Sequence, residues 1–196
     1  MNHKQRGFTL IELMLAMGGI AFLLLFVVFA IVHTTNLYSK GVATRQINQV
    51  GRQVTDEISR AVRYGNEPVV RTAENRLCAG NVAYIWNNAT SPGVNLYTDD
   101  TPVTFVRVED VALCQNVTQK VDKTKAVELL GNIATVQEIT VRQPVNISPI
   151  YEFTAIFSTA GDNAPTFISP GVYECSPAFG QYCAFGEFST MIYGRR

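Results

Sequence analysis

Arg6-Gly7-Phe8-Thr9-Leu10-Ile11-Glu12-Leu13-Met14 is the stretch that decides how this chain is read. It opens an apolar run in which Glu12 is the one ionisable residue between Phe8 and Val32. A run of that length spans a bilayer as a helix. A carboxylate at the centre of such a span costs roughly 2.5 to 3.5 kcal/mol, so it calls for a partner and marks a functional position. The nearest cations in sequence, Lys4 and Arg6, lie upstream in a polar leader, residues 1–7. Cleavage after Gly7 makes Phe8 a free α-ammonium close in sequence to Glu12. A neighbouring copy of the chain can offer that ammonium to this carboxylate.

Arg6, Gly7, Phe8, Thr9, Leu10, Ile11, Glu12, Leu13 and Met14 together resemble the class III signal of type IV prepilins and type II secretion pseudopilins. That signal has a short basic leader, a Gly before the cut, Phe as the first mature residue and Glu as the fifth. The resemblance covers about the first 60 residues. It implies cleavage between Gly7 and Phe8 by a prepilin peptidase and N-methylation of Phe8. It also implies assembly with other pilin or pseudopilin subunits into a helical filament, with Phe8 and Glu12 as assembly residues. A secretory signal peptide has an apolar stretch of about 7 to 15 residues followed by a small-residue cleavage site. The run here is longer, carries an acid near its start and shows no A-x-A site after it. A plain single-span anchor matches the length but explains neither Glu12 nor the Gly-Phe junction.

The chain has 196 residues, of which 47% are hydrophobic. That suits one membrane segment and one modest domain with a core of its own. The expected organisation is a leader at 1–7, a transmembrane and assembly half-helix at 8–32, an amphipathic half-helix at 33–64 and an extracytoplasmic head at 65–196. Lys40 to Arg63 carries five bases against Asp56 and Glu57, whereas residues 64–196 hold nine bases and thirteen acids, a net of −4. The head is therefore not a basic nucleic-acid surface. The basic leader places the N-terminus in the cytoplasm and the head outside. The protein is expected in the inner or cytoplasmic membrane before assembly, and in a cell-surface or periplasmic filament after it.

The head contains Cys78, Cys114, Cys175 and Cys183. An even count in an exported domain reads as two disulfides, with three connectivities open. Pairing nearest neighbours in sequence gives Cys78–Cys114 and Cys175–Cys183. Free buried thiols are the alternative. A four-cysteine zinc site lacks its usual close-paired spacing. Asn-x-Ser/Thr triplets begin at Asn88, Asn116 and Asn146, and they matter only in a eukaryotic secretory route.

Ile47, Val50, Val54, Ile58 and Val62 recur at spacings of three and four, with Arg45, Gln49, Arg52, Gln53, Asp56, Glu57 and Arg60 between them. One helix from Phe8 to about Arg63 follows, apolar all round in its first half and amphipathic in its second. At 1.5 Å per residue it would measure about 80 Å. Gly18, Gly19, Gly41 and Gly51 are its weak points, and Gly18–Gly19 at membrane depth allows close helix contact or local unwinding. Gly65 and Pro68 end it. Beyond lie strand patterns at Val82–Trp86, Val103–Val108, 136–143 and 150–158. In the last of these Tyr151, Phe153, Ala155 and Phe157 share one face, opposite Glu152, Thr154 and Ser158. Gln143–Pro149 reads as a hairpin connection, and Lys123–Leu130 as a short helix. Loops fall at 91–93, 161–165 and 169–171. The fold class is α+β: a long N-terminal helix whose amphipathic half packs on an antiparallel sheet, in a lollipop arrangement.

Chemistry is sparse. His3 and His33 are the two histidines, and the head has neither. That removes Ser-His-Asp and Cys-His nucleophilic systems and histidine-ligated metals from the head. No phosphate-binding loop or nucleophile-elbow pattern occurs. Asp99-Asp100 and Glu109-Asp110 are acids of the type that binds calcium, though adjacent acids usually mark a solvated loop. A carboxylate-pair hydrolase would depend on spacing in space. Tyr173, Phe179, Tyr182, Phe185, Phe188 and Tyr193 suit either core packing or a ligand platform, in a segment expected to have little regular structure. We therefore expect no enzyme, no cofactor and no metal. The expected function is a pilin-like structural subunit, on the minor side given the size of the head and the 53–65 helix end. The alternative is a membrane-anchored extracytoplasmic binding or adhesion module that never polymerises.

Overall fold

A computed structural model describes residues 8–65, 68–71, 75–88, 95–116, 118–143, 150–161, 164–169, 172–176 and 180–193. It divides into two compact units, Met1–Ser39 and Lys40–Arg196. Helix α1 runs Leu10–Tyr64. Its part in the first unit is exposed throughout except at Ser39, with side chains such as Leu15, Phe22 and Phe29 bare. That is the surface expected of a helix made for lipid. It is long and apolar enough to cross a membrane. Gly18 and Gly19 have open space around them and sit in unbroken helix.

In the second unit the helix is amphipathic. Ala43, Ile47, Gly51, Val54, Ile58 and Val62 are buried, recurring every three or four residues. Arg45, Arg52, Arg60 and Arg63 remain exposed. Gly65 follows the last turn and donates its N–H to the Ala61 carbonyl at 2.7 Å. The strands are β1 (Pro68–Arg71), β2 (Arg76–Ala79), β3 (Val82–Trp86) and β4 (Phe105–Val108), then the single turn α2 (Ala112–Gln115) and β5 (Ala126–Glu128). They continue as β6 (Ala134–Arg142), β7 (Ile150–Thr159), β8 (Thr166–Ser169), β9 (Val172–Glu174) and β10 (Phe185–Tyr193). Three antiparallel sheets result: β1-β2-β3-β4-β5, β10-β7-β6 and the β8-β9 pair. The chain thus has the α+β layout of a long N-terminal helix with antiparallel sheets.

Period-two alternation divides the five-stranded sheet between two cores. Leu77, Ala79, Tyr84, Trp86 and Phe105 join the helix stripe and the inner faces of β6, β7 and β10 in one cluster. Cys78, Ala83, Ile85, Val106 and Val108 face the other way, onto Tyr97, Val103, Leu113 and Val121. A chain of aromatic contacts crosses from one sheet to the other: Trp86–Phe105 at 6.0 Å, Phe105–Phe157 at 6.3 Å and Phe157–Phe188 at 5.9 Å between centroids.

Several expectations need correction. Lys123–Leu130 is not a helix. Thr124 donates its N–H and Oγ to Asp122 Oδ1 in a turn, and β5 then pairs with β4. Edge pairing overrides the local helix pattern there. Ser158 lies on the face opposite Phe157, as its spacing indicates, but is fully buried there and accepts from Gln137 Nε2 at 2.7 Å. A bulge between Val136 and Glu138 disturbs the β6–β7 register around Gln137. The 173–193 segment is not irregular, because β10 pairs with β7 over its whole length. Gly51 is not a weak point but a packing position, since a Cβ there would lie 2.2 Å from Phe188 Cε2. The 144–149 part of the hairpin connection, the 91–93 loop, Asn146 and Phe179 lie outside the described residues.

Candidate functional site

The start of α1 is built by two residues. Thr9 precedes the first helical residue, Leu10, and its carbonyl accepts the Leu13 N–H at 3.2 Å. Glu12 is the third helical position. Thr9 donates its N–H at 3.0 Å and its Oγ hydrogen at 2.7 Å to Glu12 Oε2. The Glu12 N–H points back to Thr9 Oγ1 at 3.4 Å. This reciprocal arrangement is a capping box: the first turn of a helix leaves N–H groups without intrahelical partners, and the two side chains supply them. The carboxylate also sits at the positive end of the helix dipole. The acid that looked isolated in the sequence therefore has donors within its own turn. Thr9 is the residue the sequence reading missed, although Thr-x-x-Glu before an apolar run is the signal for it. Phe8 is 80% exposed, and Gly7 lies outside the described residues.

The head holds its candidate residues in structural roles. Cys78 of β2 is bonded to Cys114 of α2, and Cys175 to Cys183. The first bond ties the turn of α2 to the sheet through the second core. The second closes the chain between β9 and β10. Of the acids considered for calcium, Asp99 accepts from the Thr101 hydroxyl and N–H and pairs with Lys123, contacts that hold its carboxyl down near about 2. Asp100 pairs with Lys120, Glu109 with Arg107, and Asp110 accepts the Ala112 N–H. No cluster of three metal-ligating side chains occurs among the described residues. Burial, with Glu128 beside it, pushes the Tyr97 phenol up to about 12. Burial and the Glu57 charge push Tyr84 upward too.

Of the aromatic group, Tyr173 lies between Phe167, which it meets edge-on, and Phe185, which it meets at a tilt, and Phe188 packs against the core. Tyr182 and Tyr193 are exposed. An open groove of about 260 Å³ lies on the outer face of the three-stranded sheet, where Glu138, Thr140, Arg142, Glu152, Thr154 and Glu187 line it. Glu138 and Glu187 stand in one row across the strands, on either side of Ile156. At about 4.8 Å per strand spacing their Cα atoms are roughly 10 Å apart.

Residues 2–32 match the prokaryotic N-terminal methylation motif. No curated protein and no solved structure matches the chain. The motif is that of a precursor processed by prepilin peptidase, and proteins of this kind are generally structural and not enzymes. The matched stretch overlaps the start of α1, the helix long and apolar enough to cross a membrane, and a methylation motif of this kind together with an α+β layout is similar to what type IV pilins and pseudopilins carry.

Proposed function

We propose that the chain is a non-catalytic structural subunit of a type IV pilus or a secretion pseudopilus, cleaved between Gly7 and Phe8 and N-methylated at Phe8. Residues 8–32 hold it in the membrane, 33–64 complete the helix, and 65–196 form a head outside the cytoplasm. The size of that head and the 53–65 helix end favour a minor subunit. The observation that carries the reading is the position of Glu12: a carboxylate fixed by Thr9 at the mouth of an exposed apolar helix. It is presented where the Phe8 ammonium of an incoming subunit would form a charge-assisted pair in low dielectric. The pair rewards axial register between helices as their apolar surfaces pack.

Glu12→Leu removes the charge together with its desolvation cost. The variant should insert in the membrane and form both disulfides, yet be missing from sheared filaments. Entry of Glu12→Leu into filaments at the wild-type level would refute the assembly role. N-terminal sequencing or intact mass of the mature chain tests the processing, and any start other than Phe8 refutes that part. The groove on the outer sheet face gives the second reading, an anchored binding module, a place to act. That reading requires a chain that is processed and exported but never found in fibres.

A further inference from the structure

Two faces of the second unit have no element packed on them among the described residues, and they carry opposite charge. The first is the helix face turned away from the core. Arg45, Arg52 and Arg63 are spaced by seven and eleven residues, each close to a whole number of turns, so they fall on one line. They lie opposite the buried stripe of Ile47, Val54 and Ile58, and all three are exposed. Arg60 flanks the line, and Asp56 is the one acid on it. No ion pair involves these arginines among the described residues.

The second is the outer face of the three-stranded sheet. Its rows, read from the register, are Glu138–Ile156–Glu187, Thr140–Thr154–Ser189 and Arg142–Glu152–Met191. Three carboxylates stand against one guanidinium there, and none of them makes an ion pair among the described residues. The spacings agree. Arg45 and Arg52 are about 10 Å apart along the helix, and Glu138 and Glu187 are about 10 Å apart across the sheet.

Helix and sheet bury their other faces in the same core. The basic line and the acidic face therefore look outward on opposite sides of that core. A contact joining one to the other is heterologous: it uses a different surface on each copy, so it builds a ring or an open array and does not close as a symmetric pair. We propose that the outer face of β10-β7-β6 docks on the Arg45/Arg52/Arg63 line of a second copy of this chain. The proposal rests on the filament reading above and supplies a charge-reading contact between heads and helices. Such a contact steers encounter and fixes register more than it adds affinity.

The test uses the full-length chain in membranes of cells that process it, with a photo-reactive benzoylphenylalanine replacing the exposed Ser189. Irradiation should yield a dimer whose adduct maps to residues 40–63 of another copy. Glu138→Arg with Glu187→Arg should lower the adduct by about tenfold, the scale of a like-charge clash. Arg45→Glu with Arg52→Glu should do the same, and combining both reversals on separate tagged copies should restore it. Raising salt from about 0.05 to 0.5 M should weaken the wild-type adduct severalfold, since exposed charges are screened. That last arm needs no charge reversal, so a variant that fails to fold does not block the answer. No adduct, an adduct elsewhere, an adduct only to other proteins, or one indifferent to salt and to charge reversal overturns the proposal. Fibres that form without the adduct sink the contact and leave the filament reading standing. An adduct in a chain that never enters fibres does the reverse.

Discussion

Gly51 is a helix-interior glycine, and helix propensity alone says that Gly51→Ala should stabilise by about 1 kcal/mol. The structure reverses the sign. A Cβ at Gly51 would lie 2.2 Å from Phe188 Cε2, 2.3 Å from Cζ and 2.6 Å from Cδ2. Those distances are far inside contact, so the ring or the helix must move. The ring has little room. It packs on Phe157, and a Cβ at Gly186 would meet the same Phe188 edge at 3.2 Å. Overpacking of this kind costs about 1 to 3 kcal/mol, which offsets or exceeds the propensity gain. We expect Gly51→Ala to destabilise by roughly 0 to 2 kcal/mol, and Gly51→Leu by more. Gly41 is the control. Its Cβ position is open, so Gly41→Ala should stabilise by up to about 1 kcal/mol. Thermal unfolding of the full chain in detergent, followed by near-ultraviolet circular dichroism, reads the difference at about 2 to 4 °C per kcal/mol. A cycle with Phe188→Leu isolates the contact, because Gly51→Ala should then be tolerated. If Gly51→Ala raises the midpoint as much as Gly41→Ala does, or if Phe188→Leu fails to relieve it, the packing argument is wrong.

Further outcomes follow from the head. Loop-closure entropy grows with the enclosed length, so losing Cys78–Cys114, which spans 36 residues, should cost roughly 4 kcal/mol, whereas losing Cys175–Cys183, which spans 8, should cost about 2.5. Paired Cys→Ser variants compared by denaturant titration check the order, and equal losses would contradict it. Arg76 is buried and donates to the carbonyls of Leu113, Asn116 and Gln119 and to Asn95 Oδ1. Arg76→Met leaves those acceptors stranded and should cost at least about 2 kcal/mol, as read from the unfolding midpoint. The Tyr97 phenol, near 12 when folded against an ordinary value near 10, keeps its proton longer in the folded state. Its contribution to stability is therefore complete below pH 10 and is lost as pH rises from about 10 to 12. Tyr97→Phe should flatten the alkaline fall in stability over that window, and a curve identical to wild type would count against the assignment.

The sequence exposed what repeats and hid what depends on neighbours. Ile47, Val54, Ile58 and Val62 mark the buried helix stripe by spacing alone, and in the structure they are buried. The alternation of Tyr151, Phe153, Ala155 and Phe157 likewise finds the core face of β7, because a strand between two others keeps its period. Phe185–Tyr193 alternates as well. Its inward positions include Gly186, Phe188 and Thr190, and two of those three, Gly186 and Thr190, are not hydrophobic. The glycine is there because the Phe188 ring needs the space, a reason that exists only once β10 lies beneath α1. Ser158 was unreadable for a similar cause: its burial depends on Gln137, which the β6 bulge re-aims, and no local pattern announces a bulge. Lys123–Leu130 failed because a three-residue edge strand takes its conformation from β4 and not from its own residues.

At the candidate assembly site the legibility ran the other way. Gly7, Phe8 and Glu12 are conspicuous by chemistry, whereas Thr9 is a neutral side chain whose capping role shows in the geometry of the first turn. A lone carboxylate in an apolar helix invites a search for a cation. Thr9 meets part of the need without one, through an amide and a hydroxyl that donate to Glu12 Oε2. Those bonds do not neutralise the acid. They fix its rotamer and use one oxygen, and Oε1 has no hydrogen bond among the described residues. If the chain assembles as proposed, a neutral donor set suits it alone in lipid, and a charged donor on another copy would have a larger gain to offer, since a charge-assisted bond is roughly twice as strong as a neutral one. On the proposed assembly reading, the capping box that makes Glu12 tolerable in lipid also leaves it able to take a stronger partner. On that reading Thr9, which donates twice to Glu12 Oε2, belongs to the site as much as the glutamate does.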